Sequence, residues 1–204
     1  MRIFAIGRNY VEHIKELNNE RPEEPIIFTK PDTSLLQYNE PFFHPDFSDD
    51  IHHEVELVLK ICKMGKNIEE KFARNYFDSI GVGIDFTARD LQQKAKEKGL
   101  PWTIAKGFNG SAPISTKFIP VSDIPDLNNI NFRLDVDNNT RQTGNTKLMI
   151  FSFEYIISYI SKFFTLKTGD LIFTGTPKGV AKVSIGNKLS AYFEDEKVLE
   201  FLVK

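Results

Sequence analysis

One stretch, HHEVELVLK at residues 52–60, constrains the fold more than any other part of the sequence. Its apolar residues predict a buried strand, yet Glu54 and Glu56 stand two residues apart within it. Successive side chains of a strand point to opposite faces, so the two carboxylates share one face while the alternate valine and leucine residues fill the other. Buried acids this close together must be protonated or must find a cation. The fold therefore has to bring positive charge to this strand.

A third acid, Asp85, ends the next strongly strand-like segment, VGIDF. Three convergent carboxylates favour a hard divalent ion, Mg²⁺ or Mn²⁺, and leave coordination positions open for water or a bidentate substrate. His52 has the same parity as the two glutamates, and we assign it to the surroundings of the metal or to a structural role, whereas His53 should face away. The residues thus predict a metal site formed by Glu54, Glu56 and Asp85.

Composition narrows the class of protein. The 204 residues fit one domain, 1–204, with a phenylalanine-rich core, since 18 phenylalanines stand against one tryptophan. The balance of 26 basic and 28 acidic residues predicts no recruitment of nucleic acid or of an anionic membrane. No apolar run reaches the roughly 18–20 residues of a membrane span, and no signal-peptide pattern opens the chain, so we expect a cytoplasmic protein. The single cysteine, Cys62, is predicted to be a buried core thiol in a reducing compartment.

The order of elements favours an α+β fold. Short strands alternate with only a few helices and not in regular βαβ units, which argues against a doubly wound sheet. We predict a helix over residues 67–80, begun by Asn67 and Glu70 as a capping box, and a second helix with Thr87 as its cap and Gly99 as its stop. The other predicted elements are a helix starting at Ser152 and two hairpins, over residues 131–144 and 188–204.

Three further groups suit chemistry on a small acid. His13 and Glu16 stand three residues apart and would share a helical face, where the carboxylate can orient the imidazole and favour activation of water. An isolated pair of this kind is more often an exposed helical pair. Lys106 lies in a largely uncharged stretch, although most lysines are solvated. The turn FTGTPKGV, at residues 173–180, offers backbone N–H groups and hydroxyls that can hold a carboxylate.

Seven segments occur together, in the order GRNYVEHIKE, FTKP, HHEVEL, GIDFTARDLQ, KGLPWTIAKGF, MIFSFEYIISYIS and LKTGDLIFTGTPKGV. Together they resemble the fumarylacetoacetate hydrolase family, and within it the short branch of acylpyruvases and oxaloacetate decarboxylases. The resemblance runs from about Phe4 to the last strands. It implies a mixed β-sheet rolled into a distorted barrel or β-sandwich, a homodimer, and a Mg²⁺ or Mn²⁺ cofactor.

The resemblance also implies a role for each matching residue. In the family's pattern one group of residues binds the metal, a dyad on a mobile segment activates water, a lysine is catalytic, and polar residues bind the substrate. The metal ligands would be Glu54, Glu56 and Asp85, the dyad His13 and Glu16, the lysine Lys106, and the substrate-binding residues Arg89, Gln92 and Thr176.

These residues predict a divalent-metal-dependent hydrolase that cleaves the C–C bond of acylpyruvates and other β-diketo acids. The reaction would leave a pyruvate enolate at the metal, so oxaloacetate decarboxylation or tautomerisation could use the same site. Because three carboxylates and one divalent ion sum to −1, Lys106 and Arg89 would offset the repulsion of an anionic 2-oxo acid. One alternative is an isomerase of an unsaturated 2-hydroxy dicarboxylate, of the 2-hydroxyhepta-2,4-diene-1,7-dioate isomerase type. A less favoured one is a non-catalytic protein that binds a metal and a ligand.

Overall fold

Short strands form most of the regular structure. The computed structural model of the chain describes residues 1–16 and 20–204. The strands in these ranges are β1 (Ile3–Gly7), β2 (Ile26–Lys30), β3 (Leu35–Leu36), β4 (Ile51–His53), β5 (Val55–Ile61), β6 (Phe77–Ile84), β7 (Thr87–Ala88), β8 (Ala112–Pro113), β9 (Ile119–Pro120), β10 (Asn131–Val136), β11 (Asn139–Asn145), β12 (Leu171–Phe173), β13 (Ala181–Lys182), β14 (Lys188–Phe193) and β15 (Glu196–Leu202).

The helices are short and lie between the strands. Those within the described ranges are α1 (Val11–Glu16), α2 (Glu70–Ala73), α3 (Arg89–Lys98), α4 (Thr103–Lys106) and α5 (Phe153–Phe163). Helix α5 begins where the sequence predicts, because the Ser152 side chain accepts a hydrogen bond from Tyr155 N at 3.1 Å. Helix α3 ends at Gly99, whose φ of +64° gives the left-handed C-terminal cap that glycine favours. No described helix could reach across a lipid bilayer as an apolar span.

The largest sheet has six strands in the order β2–β1–β12–β5–β6–β9 and is mixed, since β1 and β12 run parallel while the other neighbours are antiparallel. A second sheet, β11–β10–β14–β15, is antiparallel and contains both predicted hairpins. The described strands also form the smaller sheets β13–β4–β7 and β3–β8. The α+β prediction is confirmed, and the sheets stay open rather than closing into a complete barrel.

The pairing of β5 with β6 explains why distant acids meet. The two strands are antiparallel, with Val55 opposite Ile84, so the residue before β5 lies beside the residue after β6. These two residues are Glu54 and Asp85, and Asp85 N donates to Glu54 O at 2.8 Å. Glu56 follows on the same face of β5. The register of one hairpin-like pair therefore places all three carboxylates at one edge of the large sheet.

The predicted helix over residues 67–80 is wrong in extent and in its cap. Asn67 has a φ of +52°, whereas an N-cap residue needs an extended backbone, so α2 begins only at Glu70. The chain leaves the helix after four residues, passes through a 3₁₀ turn and enters β6 at Phe77. Phe77 packs edge-on against Phe153 of α5, with ring centroids 6.0 Å apart. Burial of this aromatic in the sheet overrides the helical preference of the preceding residues.

Two smaller predictions are also wrong. Thr87 does not cap α3, because it lies in β7 and its hydroxyl accepts a hydrogen bond from Lys106 Nζ at 2.6 Å. Cys62 is not a core thiol, since it is partly exposed just after the end of β5. The apolar run that precedes it is buried as far as Ile61, and the chain reaches the surface one residue later.

Candidate active site

The three predicted acids form a buried cluster. One carboxylate oxygen each from Glu54, Glu56 and Asp85 can be chosen so that all three atoms lie within 4.8 Å of one another. The exposed fraction of each residue is 5% or less. Because like charges this close repel strongly in a low-dielectric interior, the cluster requires nearby cations.

Lys106, at the end of α4, supplies the first of these cations. Its Nζ donates to Glu54 Oε2 at 2.8 Å, to Asp85 Oδ2 at 2.7 Å and to Thr87 Oγ1 at 2.6 Å. Burial opposes the charge, but Asp85 and Glu54 together raise the pKa of Lys106. An ammonium group has three N–H donors, so all of them are engaged by protein oxygens in this arrangement.

Lys30, the last residue of β2, is a second buried cation that the sequence analysis missed. Its Nζ lies 2.7 Å from Asp85 Oδ1 and donates to Ser111 O at 2.9 Å and to the carbonyl of Lys106. Burial lowers the pKa of Lys30, and Asp85 opposes that effect. The signal was the FTKP motif itself, in which a lysine ends a strand, but nothing local shows that the end of the strand is buried.

Arg89 and Gln92 lie on consecutive turns of α3 and face the acids. Arg89 Nη2 donates to Glu54 Oε1 at 2.5 Å, and Nη1 donates to Gln92 Oε1 at 2.6 Å. Burial alone would raise the pKa of Glu54, but Lys106 and Arg89 hold it well below its usual range. The formal charges of three acids and three cations, Lys30, Lys106 and Arg89, sum to zero, so a divalent ion would make the site +2 rather than −1.

Glu56 is the acid without a cation of its own. Its Oε2 accepts a hydrogen bond from Gly175 N at 2.6 Å, and no lysine, arginine or histidine nitrogen of the described ranges lies within 4.0 Å. Burial, followed by the charges of Asp85 and Glu54, raises the pKa of Glu56 well above its usual range. Burial and repulsion from the two other acids destabilise the charged form of Glu56. A divalent cation bound by the three carboxylates would offset both effects. The residues present therefore fit Mg²⁺ or Mn²⁺, with Glu54, Glu56 and Asp85 as the donors.

His13 and Glu16 of α1 form the predicted pair, and only the histidine faces the cleft. His13 Nδ1 lies 3.3 Å from Glu16 Oε2, and Glu16 Oε1 accepts a hydrogen bond from Gly179 N at 3.0 Å. Burial lowers the pKa of His13, although Glu54 and Glu16 oppose the effect. The imidazole is therefore neutral at pH 7 and can accept a proton.

Thr176 is positioned by a residue that the sequence analysis also missed. Gln142 of β11 donates from Nε2 to Thr176 Oγ1 and to Pro177 O, both at 2.9 Å. Its Oε1 accepts hydrogen bonds from Val55 N at 3.0 Å and from His53 Nδ1 at 2.9 Å. Gln142 is fully buried and joins the second sheet to the loop that carries Thr176, a long-range contact that no local pattern in the hairpin indicates.

The two strand histidines lie outside the acid cluster. His53 is buried and turned toward Gln142, as the strand parity predicts. His52 Nε2 lies 2.9 Å from Asp50 Oδ1 and is partly exposed, so it is not a member of the carboxylate group. Its structural role is the one that the geometry supports.

Most of the predicted site residues face one open cleft, which has about 410 Å³ of empty space, its mouth included. Eight of the nine predicted site residues line it, and Glu16 lies behind His13. The cleft is also bounded by residues that the sequence analysis did not single out, namely Ile6, Gly7, Arg8, Phe28, Lys96 and Trp102.

The fold and the site define a class: α+β proteins with a buried three-carboxylate cluster at the floor of a polar cleft. A family model described as fumarylacetoacetate (FAA) hydrolase C-terminal matches residues 2–203. The chain belongs to the fumarylacetoacetate hydrolase family, as its sequence motifs indicate.

Curated relatives and solved structures support this placement over nearly the full chain. The chain is 50% identical over 186 residues to "Oxaloacetate decarboxylase, mitochondrial" of Dictyostelium discoideum, covering 91% of this chain and 85% of that protein. It is 43% identical over 202 residues to "Oxaloacetate tautomerase FAHD1, mitochondrial" of Mus musculus, covering 99% and 91%. A crystal structure of fumarylpyruvate hydrolase from Pseudomonas aeruginosa, in complex with Mn²⁺ and pyruvate, superposes with a TM-score of 0.94 at 34% identity, covering 100% of this chain and 89% of that chain.

Proposed function

We propose that the chain is a divalent-metal-dependent enzyme that forms or releases the enolate of a 2-oxo acid, with hydrolysis of acylpyruvates as its characteristic reaction. The observation that carries this proposal is the uncompensated Glu56 carboxylate within a three-acid cluster at the floor of an open cleft. The fumarylpyruvate hydrolase neighbour, whose crystals hold Mn²⁺ and pyruvate, supports it.

The metal would be held by Glu54, Glu56 and Asp85. When bound there, a divalent cation supplies the positive charge that stabilises the 2-oxo and carboxylate oxygens of the substrate. The protein's own cations lie beside the same acids, and Lys106 contacts two of the three carboxylates, whereas Lys30 and Arg89 contact one each. Lys106 is therefore placed to stabilise the negative charge of the enolate as it develops.

The hydrolytic step would depend on His13. With Glu16 holding its Nδ1 side, the neutral imidazole can take a proton from water as the water oxygen bonds to the distal carbonyl carbon of the acylpyruvate. The C3–C4 bond then breaks, a carboxylic acid leaves, and the pyruvate enolate is protonated to pyruvate. Gly179 N, bonded to Glu16, connects this pair to the loop that also carries Thr176, where the substrate carboxylate would bind.

A second reaction at the same site is favoured by the relatives. Proteins 43% and 50% identical to this chain are named an oxaloacetate tautomerase and an oxaloacetate decarboxylase. Both reactions pass through the same type of enolate and need no attacking water. Decarboxylation forms the enolate by loss of CO₂ and would not require His13 as a base, whereas tautomerisation transfers a proton between C3 and the 2-oxo oxygen and could use it. We propose oxaloacetate tautomerisation or decarboxylation as the alternative activity.

The deciding experiment is an NMR screen of the Mg²⁺-loaded protein against acetylpyruvate, fumarylpyruvate, oxaloacetate and enol-oxaloacetate. Each reaction leaves different products, so hydrolysis, decarboxylation and tautomerisation are separated in one assay. Glu54→Ala should lose metal binding and nearly all turnover, whereas His13→Ala should lose hydrolysis and keep metal binding. Metal-dependent binding of oxalate without turnover of any of the four compounds would instead identify a ligand-binding protein.

Two properties of the whole protein are proposed on family grounds. A homodimer is expected, and light scattering after size-exclusion chromatography should give twice the chain mass. A cytoplasmic location remains our prediction, although the two relatives above are named mitochondrial, and cell fractionation decides between the compartments.

A further inference from the structure

The mouth of the cleft carries positive charge that the proposed chemistry does not use. We propose that Arg8 and Lys96 form a second anion subsite, which recognises the terminal carboxylate of a dianionic 2-oxo acid. The inference rests on the proposed function and narrows it, because it selects diacids such as oxaloacetate and fumarylpyruvate over monoanionic acylpyruvates such as acetylpyruvate.

Burial separates the cleft into two ends. The acids, Lys106, His13 and Thr176 are each no more than 5% exposed and form the inner end. Arg8, Lys96 and Trp102 line the same cleft but are only half-buried, so they form its mouth. A substrate whose 2-oxo acid end reaches the acids therefore directs its far end toward these residues.

The cations of the two ends differ in their partners. At the inner end, Lys30, Lys106 and Arg89 each contact a carboxylate of the cluster at 2.8 Å or less. Within residues 1–16 and 20–204, Arg8 and Lys96 have no carboxylate within 4.0 Å. Their positive charges are available to a ligand, and a bound anion would stabilise these half-buried cations.

Arg8 is held in its place at an energetic cost. Its φ of +61° lies in the left-handed region, which a non-glycine residue rarely adopts. The next residue, Asn9, fixes the turn, because its side chain donates to Phe151 O and Thr174 O and accepts from Phe151 N. Strained residues that are held this firmly cluster at ligand sites.

Lys96 belongs to the face of α3 that borders the cleft. Arg89, Gln92 and Lys96 follow the spacing of one helical face, and all three line the cleft. Lys96 Nζ lies 5.8 Å from the centroid of the Trp102 ring, which limits where the ammonium can move. Burial, together with the positive charges of Arg89 and Arg8, lowers the pKa of Lys96, and an anion bound beside Lys96 would oppose that shift.

Two aromatic rings extend from the inner end of the cleft to its mouth. The centroids of Phe28 and Trp102 are 5.9 Å apart, and Lys106 Nζ lies 5.2 Å from the centroid of Phe28. An apolar wall of this kind suits the carbon atoms between two polar ends of a substrate. A methyl group in the position of the second carboxylate would leave Arg8 and Lys96 without an anionic partner, so the discrimination is electrostatic.

The test compares two substrates in matched variants. Lys96→Met and Arg8→Asn remove charge while keeping, respectively, a similar side-chain length and a residue type that tolerates the left-handed backbone. Each should lower kcat/KM for fumarylpyruvate and for oxaloacetate about 10- to 100-fold, mainly through KM, because a hydrogen-bonded charge is lost. Turnover of acetylpyruvate and inhibition by oxalate should change less than about threefold in these variants. Acetylpyruvate has no second carboxylate, and the two adjacent carboxylates of oxalate would both occupy the inner end of the cleft.

Lys94→Met is the control, because Lys94 is exposed on the same helix and does not line the cleft. It should leave both substrates unaffected, and Lys96→Arg should restore most of the loss. Turnover of acetylpyruvate in each variant also shows that the variant is folded. Equal losses for diacids and monoacids would overturn the subsite and leave the proposed function intact. If the wild-type protein turned over none of these acids, the proposed function itself would be wrong.

Discussion

At the scale of single residues, the site balances charge in an unusual way. Lys106 donates all three of its N–H groups to Glu54, Asp85 and Thr87, so it acts as the counter-ion of the cluster when no metal is present. Lys30 does the same for the second oxygen of Asp85. Both lysines thus stabilise the folded structure, and Lys106 also has a role in the proposed chemistry.

The first prediction concerns stability without metal. Lys106→Met should lower the free energy of unfolding of the chelator-treated protein by about 3–5 kcal/mol, because it leaves Glu54 and Asp85 buried without that cation. Added Mg²⁺ should recover part of the loss, since it binds the same acids. Calorimetry with EDTA and with Mg²⁺ measures both values, and Lys94→Met serves as the control. An unchanged melting temperature in EDTA would show that Lys106 is not the counter-ion.

The second prediction concerns pH. Burial lowers the pKa of His13, so the imidazole is neutral at pH 7 and gains a proton only as the pH falls below the ordinary value of about 6.5. Hydrolysis needs the neutral form, and kcat/KM for an acylpyruvate should therefore be flat near pH 7 and decline below about 6.5. His13→Gln should lower the rate about 10²- to 10⁴-fold and abolish this acid limb. Oxaloacetate decarboxylation measured over the same range should lack the limb, because the enolate forms by loss of CO₂ without a base. An acid limb that persists in His13→Gln would assign it to another group.

At the scale of elements, the sequence predicts the features that local patterns determine and misses those that long-range contacts determine. Period two in the strand placed Glu54 and Glu56 together, and Ser152 marked the start of α5, because both signals act within a few residues. The end of the predicted helix near residue 80 and the burial of Lys30 and Gln142 depend on which strands pack against them. Such partners lie far along the chain, so no window of sequence contains them.

The loop after β12 gives the third prediction. Gly175 has a φ of +103°, and a Cβ added there would lie 2.6 Å from the Cβ of Asn9. Gly175→Ala should therefore lower the melting temperature and weaken Mg²⁺ binding, since the loop would shift and move the N–H that bonds Glu56. Gly169→Ala is the matched control: its φ is +88°, but nothing lies within 4 Å of the added atom. It should lose only about 1 kcal/mol from backbone strain and bind Mg²⁺ normally, as calorimetric titration would show. Equal behaviour of the two variants would mean that the contact with Asn9 is unimportant.

At the scale of the whole molecule, the acid cluster couples metal binding to folding. Glu54 directly precedes β5, Glu56 lies within it and Asp85 directly follows β6, so the cluster joins two central strands of the six-stranded sheet. A ligand that binds only the folded state stabilises all of it. Repulsion in this cluster therefore acts against the stability of the entire sheet when the metal is removed.

The fourth prediction follows from the sign of that coupling. The pKa of Glu56 is raised in the folded state by burial and by Asp85 and Glu54, so the folded protein binds the proton more tightly than the unfolded chain does. Its contribution to stability is then present below the unfolded value, near 4.3, and is lost as the pH rises through the higher folded value. Glu56→Gln keeps an acceptor for Gly175 N and removes the charge. At pH 7 in EDTA it should be more stable than the wild type, by about 1–3 kcal/mol, the penalty typical of an uncompensated buried group.

The order should reverse with metal. Saturating Mg²⁺ should raise the melting temperature of the wild type and leave Glu56→Gln nearly unchanged, because the variant lacks one of the three donors. Melting curves of both proteins, with and without Mg²⁺, give four melting temperatures. The variant should have the higher melting temperature in EDTA, and the wild type should have the higher one in Mg²⁺. A variant less stable than the wild type in EDTA would show that Glu56 is already compensated in the metal-free protein, and the argument that the three acids require a divalent ion would lose its basis.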